Sequence, residues 1–125
     1  MIHHVSLGTN DVARARAFYD PVLAVVGLRL LEQDVGELHY GAGTFLFSLV
    51  TPVDGTPATP GNGVHIAFAA GSRAQVDTFH RVALDNGGVS DGVPGLRPEY
   101  NPNYYGAFVR DPDGNKIEAV TYSGR

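Results

Sequence analysis

The chain contains no cysteine. Disulfides, thiolate nucleophiles and cysteine-ligated metals are therefore excluded, and a bound metal would have to be held by nitrogen and oxygen donors. No run is long and apolar enough to span a bilayer. Met1-Ile2-His3-His4 also lacks the basic region and apolar stretch of a signal peptide. A cytoplasmic protein with no membrane partner is the expectation. No basic stripe is visible and the formal net charge is −4, which argues against nucleic acid or an acidic surface as partner. The hydrophobic share of 43% over 125 residues is enough for a real core. The length suits one domain, or two small modules sharing a core.

The chain repeats its own pattern. His4-Val5-Ser6-Leu7 matches His65-Ile66-Ala67-Phe68, and the same offset sets Phe18 on Phe79, Leu23 on Leu84 and Gly27 on Gly88. A pattern that recurs over half the chain indicates two copies of one unit. Module one spans 1–51, a linker rich in Pro and Gly spans 52–63, and module two spans 64–125. In module one, 2–7 reads as a strand and Thr9-Asn10-Asp11 offers a helix cap. Val12, Ala15, Phe18, Tyr19 and Val22 form a buried helical face, with Pro21 expected to kink the helix near Ala17. Strands follow at 28–32, 37–40 and 45–50. In module two, Ser72 caps a helix over 72–86 whose apolar side carries Val76, Phe79, Ala83 and Leu84. The stretch 90–103 reads as a loop, broken by Pro94, Pro98 and Pro102. Strands at 105–110 and 116–122 flank Asp111-Pro112-Asp113-Gly114, a tight turn whose acids need have no chemical role. The outcome is one α+β domain of two β-α-β-β-β modules, with the second strand of module two poorly marked.

Two histidines at equivalent places would approach each other if the copies pair with twofold-like symmetry. Glu118 lies in the last strand, where Ile117 and Ala119 take the helix side and leave Glu118 and Val120 opposite. Two imidazoles and a carboxylate with open positions beside them are a common catalytic metal site. His3 points opposite to His4, and His80 lies on the second helix as a solvated residue. His39 either reaches a cavity as a base or sits on a surface strand. Tyr100, Tyr104 and Tyr105 either line a cavity mouth or pack outside the sheet. Arg97 and Arg110 are solvated charges or grips for an anion.

Four segments together resemble a known family. They are His4-Val5-Ser6-Leu7 followed by Asp11, then Ala17-Phe18-Tyr19, then His65, and finally the run from Asp111-Pro112-Asp113-Gly114 through Asn115-Lys116-Ile117-Glu118. They resemble the vicinal oxygen chelate superfamily, which holds glyoxalases, bleomycin-resistance proteins and extradiol dioxygenases. The resemblance covers nearly the whole chain. It implies paired modules curved into half-barrel sheets around a divalent metal (iron, zinc, manganese or nickel). His4, His65 and Glu118 fall where that family places metal ligands. Lactoylglutathione lyases carry a fourth, acidic ligand in the last strand of the first module, and Ser48 stands at the matching position here. The remaining set is closer to the dioxygenases and the fosfomycin-resistance thiol transferases. The expected function is a metal-dependent enzyme acting on a small oxygen-bearing substrate by lyase or isomerase chemistry. Dioxygenase and thiol-transferase chemistry are the alternatives, and a metal-free binding protein is the reading from another class. Glu118, His39 and Tyr104 are the expected proton-handling residues, with Ser48, Tyr100 and Tyr105 contacting substrate. Exposed concave faces and free strand edges lead to an expected homodimer.

Overall fold

Each helix starts at a residue whose side chain closes the first turn. Asp11 is extended and its carboxylate accepts from the Arg14 N–H, so α1 runs Val12–Ala24. Ser72 does the same for Gln75, and α2 runs Arg73–Asp85. The helices are thus related by the offset that relates His4 to His65. Module one adds β1 (Val5–Gly8), β2 (Arg29–Asp34), β3 (Glu37–Gly41) and β4 (Phe45–Val50). Module two adds β5 (His65–Ala69), β6 (Val89–Leu96), β7 (Tyr105–Arg110) and β8 (Lys116–Thr121). The structure is a computed structural model and describes residues 1–125.

The sheets have matching strand orders, β1-β4-β3-β2 and β5-β8-β7-β6, and both are open. This is the expected α+β arrangement. Alternation along the strands sends one face of each sheet to the helices. Leu38, Tyr40, Phe47 and Leu49 pack under Phe18, Tyr19, Val22 and Leu23 of α1. Ala107, Val109, Ile117 and Ala119 pack under Val76, Phe79 and Ala83 of α2. These join into one cluster, with Phe47 and Phe68 meeting edge-on at 5.1 Å across the modules. Each large apolar side chain buried there contributes about 1.5–3 kcal/mol, so the shared core unites the modules.

The turn between β7 and β8 does more than reverse the chain. Gly114 N–H donates to Asp111 O at 2.9 Å, as the turn signal required. Asp113 also accepts from Thr9 Oγ1 at 2.6 Å, the Asn10 N–H at 2.9 Å and Arg14 Nη2 at 2.8 Å. Buried Asp111 accepts from the Tyr19 hydroxyl at 2.6 Å, and Asn115 Nδ2 donates to Gly8 O at 2.9 Å. The acids of this turn therefore clamp module two to module one, a role not expected of them.

Several boundaries differ from expectation. α1 passes through Pro21 unbroken. The carbonyl that loses its donor is that of Ala17, an exposed residue, so water can serve it. Leu84 is exposed although its counterpart Leu23 is buried. β1 begins at Val5, leaving His4 just outside it. The largest correction is β6, which occupies much of the stretch read as a loop. It is an outer strand paired only with β7, and its register slips at Ser90/Gly92 and Gly92/Gly95. Bulges and an edge position are where a sheet tolerates Gly and Pro, so these breakers did not break the strand.

Candidate functional site

Ile117 and Ala119 lie in the core, so Glu118 between them points to the opposite face of β8. It is nevertheless fully buried. Its Oε1 lies 3.0 Å from His65 Nε2, and its Oε2 accepts from the Tyr104 hydroxyl. His65 stands at the head of β5 with its side chain 44% exposed, so the pair runs from sheet interior to solvent. Burial, followed by the bond to Glu118, pushes the Tyr104 phenol up from its usual range, and it stays protonated.

These three residues line a cavity of about 640 Å³ with Asp91, Arg97, Tyr100, Phe108 and Lys116, all from module two. The Arg97 guanidinium lies 5.6 Å and the Lys116 ammonium 4.9 Å from the centre of the Phe108 ring. Asp91 is partly spent, with Arg110 Nε at 2.9 Å and Lys116 Nζ at 3.6 Å. Lys116, Asp91 and Phe108 were missed as site residues. Lys116 was within reach of alternation, since it precedes Glu118 by two and shares its face; Asp91 and Phe108 depend on how β6 pairs.

A buried carboxylate is costly unless paired or metal-bound. Glu118 has room only because residue 106 is glycine: a Cβ there would lie 2.9 Å from Oε2. A carboxylate oxygen and an imidazole nitrogen side by side at the wall of a cavity suit a divalent cation with nitrogen and oxygen preference.

Strand register gives the counterpart of each site residue. Val5 and Ser6 oppose Phe47 and Ser48, as Ile66 and Ala67 oppose Ile117 and Glu118. Ser48 therefore occupies the position of Glu118. His39 opposes Ser48 as Phe108 opposes Glu118, so His39 occupies the position of Phe108. Module one thus presents His4, Ser48 and His39 where module two presents His65, Glu118 and Phe108.

Those module-one residues do not join the cavity within one chain. His4 is exposed, its Nδ1 lies 2.8 Å from that of His3, and its ring packs 4.6 Å from Phe45. His3 packs on Phe45 as well, rather than opposite to His4. His39 Nδ1 is 2.7 Å from Ser48 Oγ, while its Nε2 is 3.2 Å from Glu37 and 3.5 Å from Asp34. The one trio whose donor atoms all lie within 4.8 Å of one another is Asp34, Glu37 and His39. His4, His65 and Glu118 do not form such a trio in a single chain. Tyr100 lines the cavity and stacks on Tyr104. Tyr105 does not line it: its hydroxyl donates to Asp77 of α2 at 2.6 Å, with Arg73 over its ring. The two neighbours thus diverge where β7 begins, Tyr104 reaching Glu118 and Tyr105 reaching α2. His80 is half-buried rather than solvated, 2.8 Å from Ser90 Oγ, and desolvation lowers its pKa.

Comparison with known proteins agrees with this architecture. The chain is 27% identical over 120 residues to a protein named metallothiol transferase FosB from Shouchella clausii (strain KSM-K16), covering 96% of this chain and 79% of that one. A glyoxalase/bleomycin resistance protein from Albidiferax ferrireducens T118 superposes with a TM-score of 0.84 at 39% identity, over 94% of each chain. Lactoylglutathione lyase from Agrobacterium tumefaciens shares the fold, with a TM-score of 0.68 at 23% identity over 96% of this chain and 92% of that one. Residues 1–119 match the Glyoxalase/Bleomycin resistance protein/Dioxygenase superfamily, and the chain belongs to that superfamily.

Proposed function

We propose that this protein is a metal-dependent enzyme acting on a small, oxygen-bearing substrate in the module-two cavity. The observation that carries this reading is the fully buried Glu118 carboxylate beside His65 in a cavity wall. His65 and Glu118 supply two ligands. The third, His4, comes from a second copy of the chain, whose module-one face covers the open module-two face. In that assembly Ser48 and His39 also approach the cavity from the second copy. When bound, the metal supplies Lewis acidity toward neighbouring substrate oxygens. Arg97 and Lys116 add positive charge beside it, Phe108 and Tyr100 exclude water, and Tyr104 holds Glu118 in place.

Three reactions fit such a site, and Ser48 weighs against the first of them. An isomerase or lyase must move a proton, and the serine at the position equivalent to Glu118 removes one candidate base. Asp91 is engaged by Arg110, and the phenol of Tyr104 stays protonated. Transfer of a thiol to an activated electrophile needs orientation and charge stabilisation more than a carboxylate base. The relative named metallothiol transferase supports this second reading. Dioxygenase chemistry at iron would use the same ligands with dioxygen as co-substrate.

Titration calorimetry of the metal-stripped protein with Zn²⁺, Mn²⁺, Ni²⁺ and Fe²⁺ is the test. We expect binding near one ion per chain, and a loss of at least about tenfold in affinity on His65→Ala. Equal affinity in wild type and His65→Ala would reject the ligand assignment. No binding of any ion would leave the metal-free binding protein as the reading.

A further inference from the structure

The two oxygens of Glu118 meet different surroundings. Oε1 is 3.0 Å from His65 Nε2. Oε2 accepts from the Tyr104 hydroxyl and lies over the backbone of Gly106. A Cβ at residue 106 would fall 2.9 Å from Oε2 and 3.2 Å from Tyr104 Cε1. Carboxylate and phenol can therefore meet only across a glycine. The phenol ring is itself held: Tyr100 packs edge-on at 5.0 Å and Tyr122 at 5.3 Å. Tyr104 ends the connection between β6 and β7, which spans 97–104, whereas the equivalent connection in module one is only the two residues Val35 and Gly36. The longer connection of module two thus delivers a phenol to the acid that module one lacks.

We propose that Tyr104 is a positioning residue that reserves Oε2 of Glu118, so that the carboxylate meets a divalent cation through Oε1 alone. This rests on the metal-enzyme reading above. A hydrogen bond to an ionised carboxylate is roughly twice as strong as a neutral one, so a second metal bond through Oε2 has to displace it. Holding the acid to one oxygen leaves a further coordination position for substrate. Partners of this outer kind alter metal affinity by about 10–100-fold when removed.

Cobalt(II) titration followed by visible absorption tests the proposal without turnover, because cobalt absorptivity falls as coordination number rises. The wild type should give a more intense spectrum than Tyr104→Phe, whose freed Oε2 can join the ion. Tyr104→Phe should also bind cobalt about tenfold or more weakly. Tyr122→Phe keeps the stacking ring and should match the wild type in both readouts. Gly106→Ala sets a Cβ against both Oε2 and the Tyr104 ring and so parts the phenol from the carboxylate; if Tyr104→Phe fails to fold, a cobalt spectrum and affinity unchanged in Gly106→Ala overturn the proposal. An unchanged spectrum and an affinity within about twofold in Tyr104→Phe overturn the positioning role while leaving the metal reading intact. If wild-type protein takes up no cobalt, the metal reading fails first and this proposal with it.

Discussion

Buried acids set the tone of this protein at the level of single residues. Asp111 and Glu118 both sit inside, and each is met by a tyrosine hydroxyl. Burial raises the Asp111 pKa, while bonds from Tyr19 and Asn115 pull it back. Tyr19→Phe keeps the ring in the core and removes that donor. It should cost about 1–3 kcal/mol, read as a lower urea midpoint at unchanged slope. A midpoint equal to wild type would show that Asn115 and the backbone satisfy Asp111 without it. The candidate ligands were legible residue by residue, because His4, His65 and Glu118 carry distinctive chemistry and repeat or alternate in a readable way. The partners of Glu118 were less so. Tyr104 and Tyr105 are identical in type and adjacent, and only the place where β7 starts decides which one faces the acid.

Among the elements, helices were easiest to read and β6 hardest. A helix is specified locally, by a cap such as Asp11 or Ser72 and an apolar period. A bulged outer strand is specified by its neighbour, so the Gly and Pro of β6 looked like loop until β7 lay beside them. The joint between α2 and β6 is equally contextual. A Cβ at Gly88 would lie 2.8 Å from Phe18 Cε1, 2.9 Å from Ala83 O and 3.2 Å from Arg110 O. Phe18 is fully buried, and the other two atoms are backbone, so none can move cheaply. Gly88→Ala should destabilise by about 1–3 kcal/mol through overpacking. Thermal unfolding checks this, and a melting point within experimental error of wild type would mean the joint is looser than its distances imply.

At the scale of the whole molecule, two expectations follow from how the modules sit. The His65 cavity is lined only by module two, and His4 does not line it. If a second copy supplies His4, mixing His4→Ala with His65→Ala chains creates hybrid dimers with one intact ligand set. About half the dimers in an equimolar refolded mixture are such hybrids, each with one intact site of two, so the mixture should bind about a quarter of the metal that wild type binds, whereas each variant alone binds poorly. A mixture no better than its components, or sedimentation as a monomer at micromolar concentration, would sink the shared site. The second expectation concerns alkali. Tyr19 and Tyr40 have pKa values raised chiefly by burial, and Tyr104 likewise. Their protonated forms are favoured in the folded state. The stability they contribute is fully present below the unfolded tyrosine value of about 10 and is lost as pH rises above it. Denaturant midpoints should fall steeply from about pH 10 upward, and less steeply in Tyr19→Phe; equal slopes would exclude Tyr19 as a contributor.

The sequence by itself determined the two-module plan, the helices and most strands, and it singled out His4, His65 and Glu118 as residues to test as ligands. Each of these rests on short-range periodicity, on caps, or on a residue type with few other uses. Only the tertiary structure decided that Asp113 ties the modules together through Thr9, Asn10 and Arg14, residues a hundred positions away in chain order. It also decided that Glu118 shares its cavity with Tyr104 and Lys116, and that His4 and His39 lie apart from it. Those outcomes depend on which faces meet after the chain closes on itself. No local pattern encodes that, because side chains with identical local signals, such as His4 and His65, end in different surroundings once the sheets are packed.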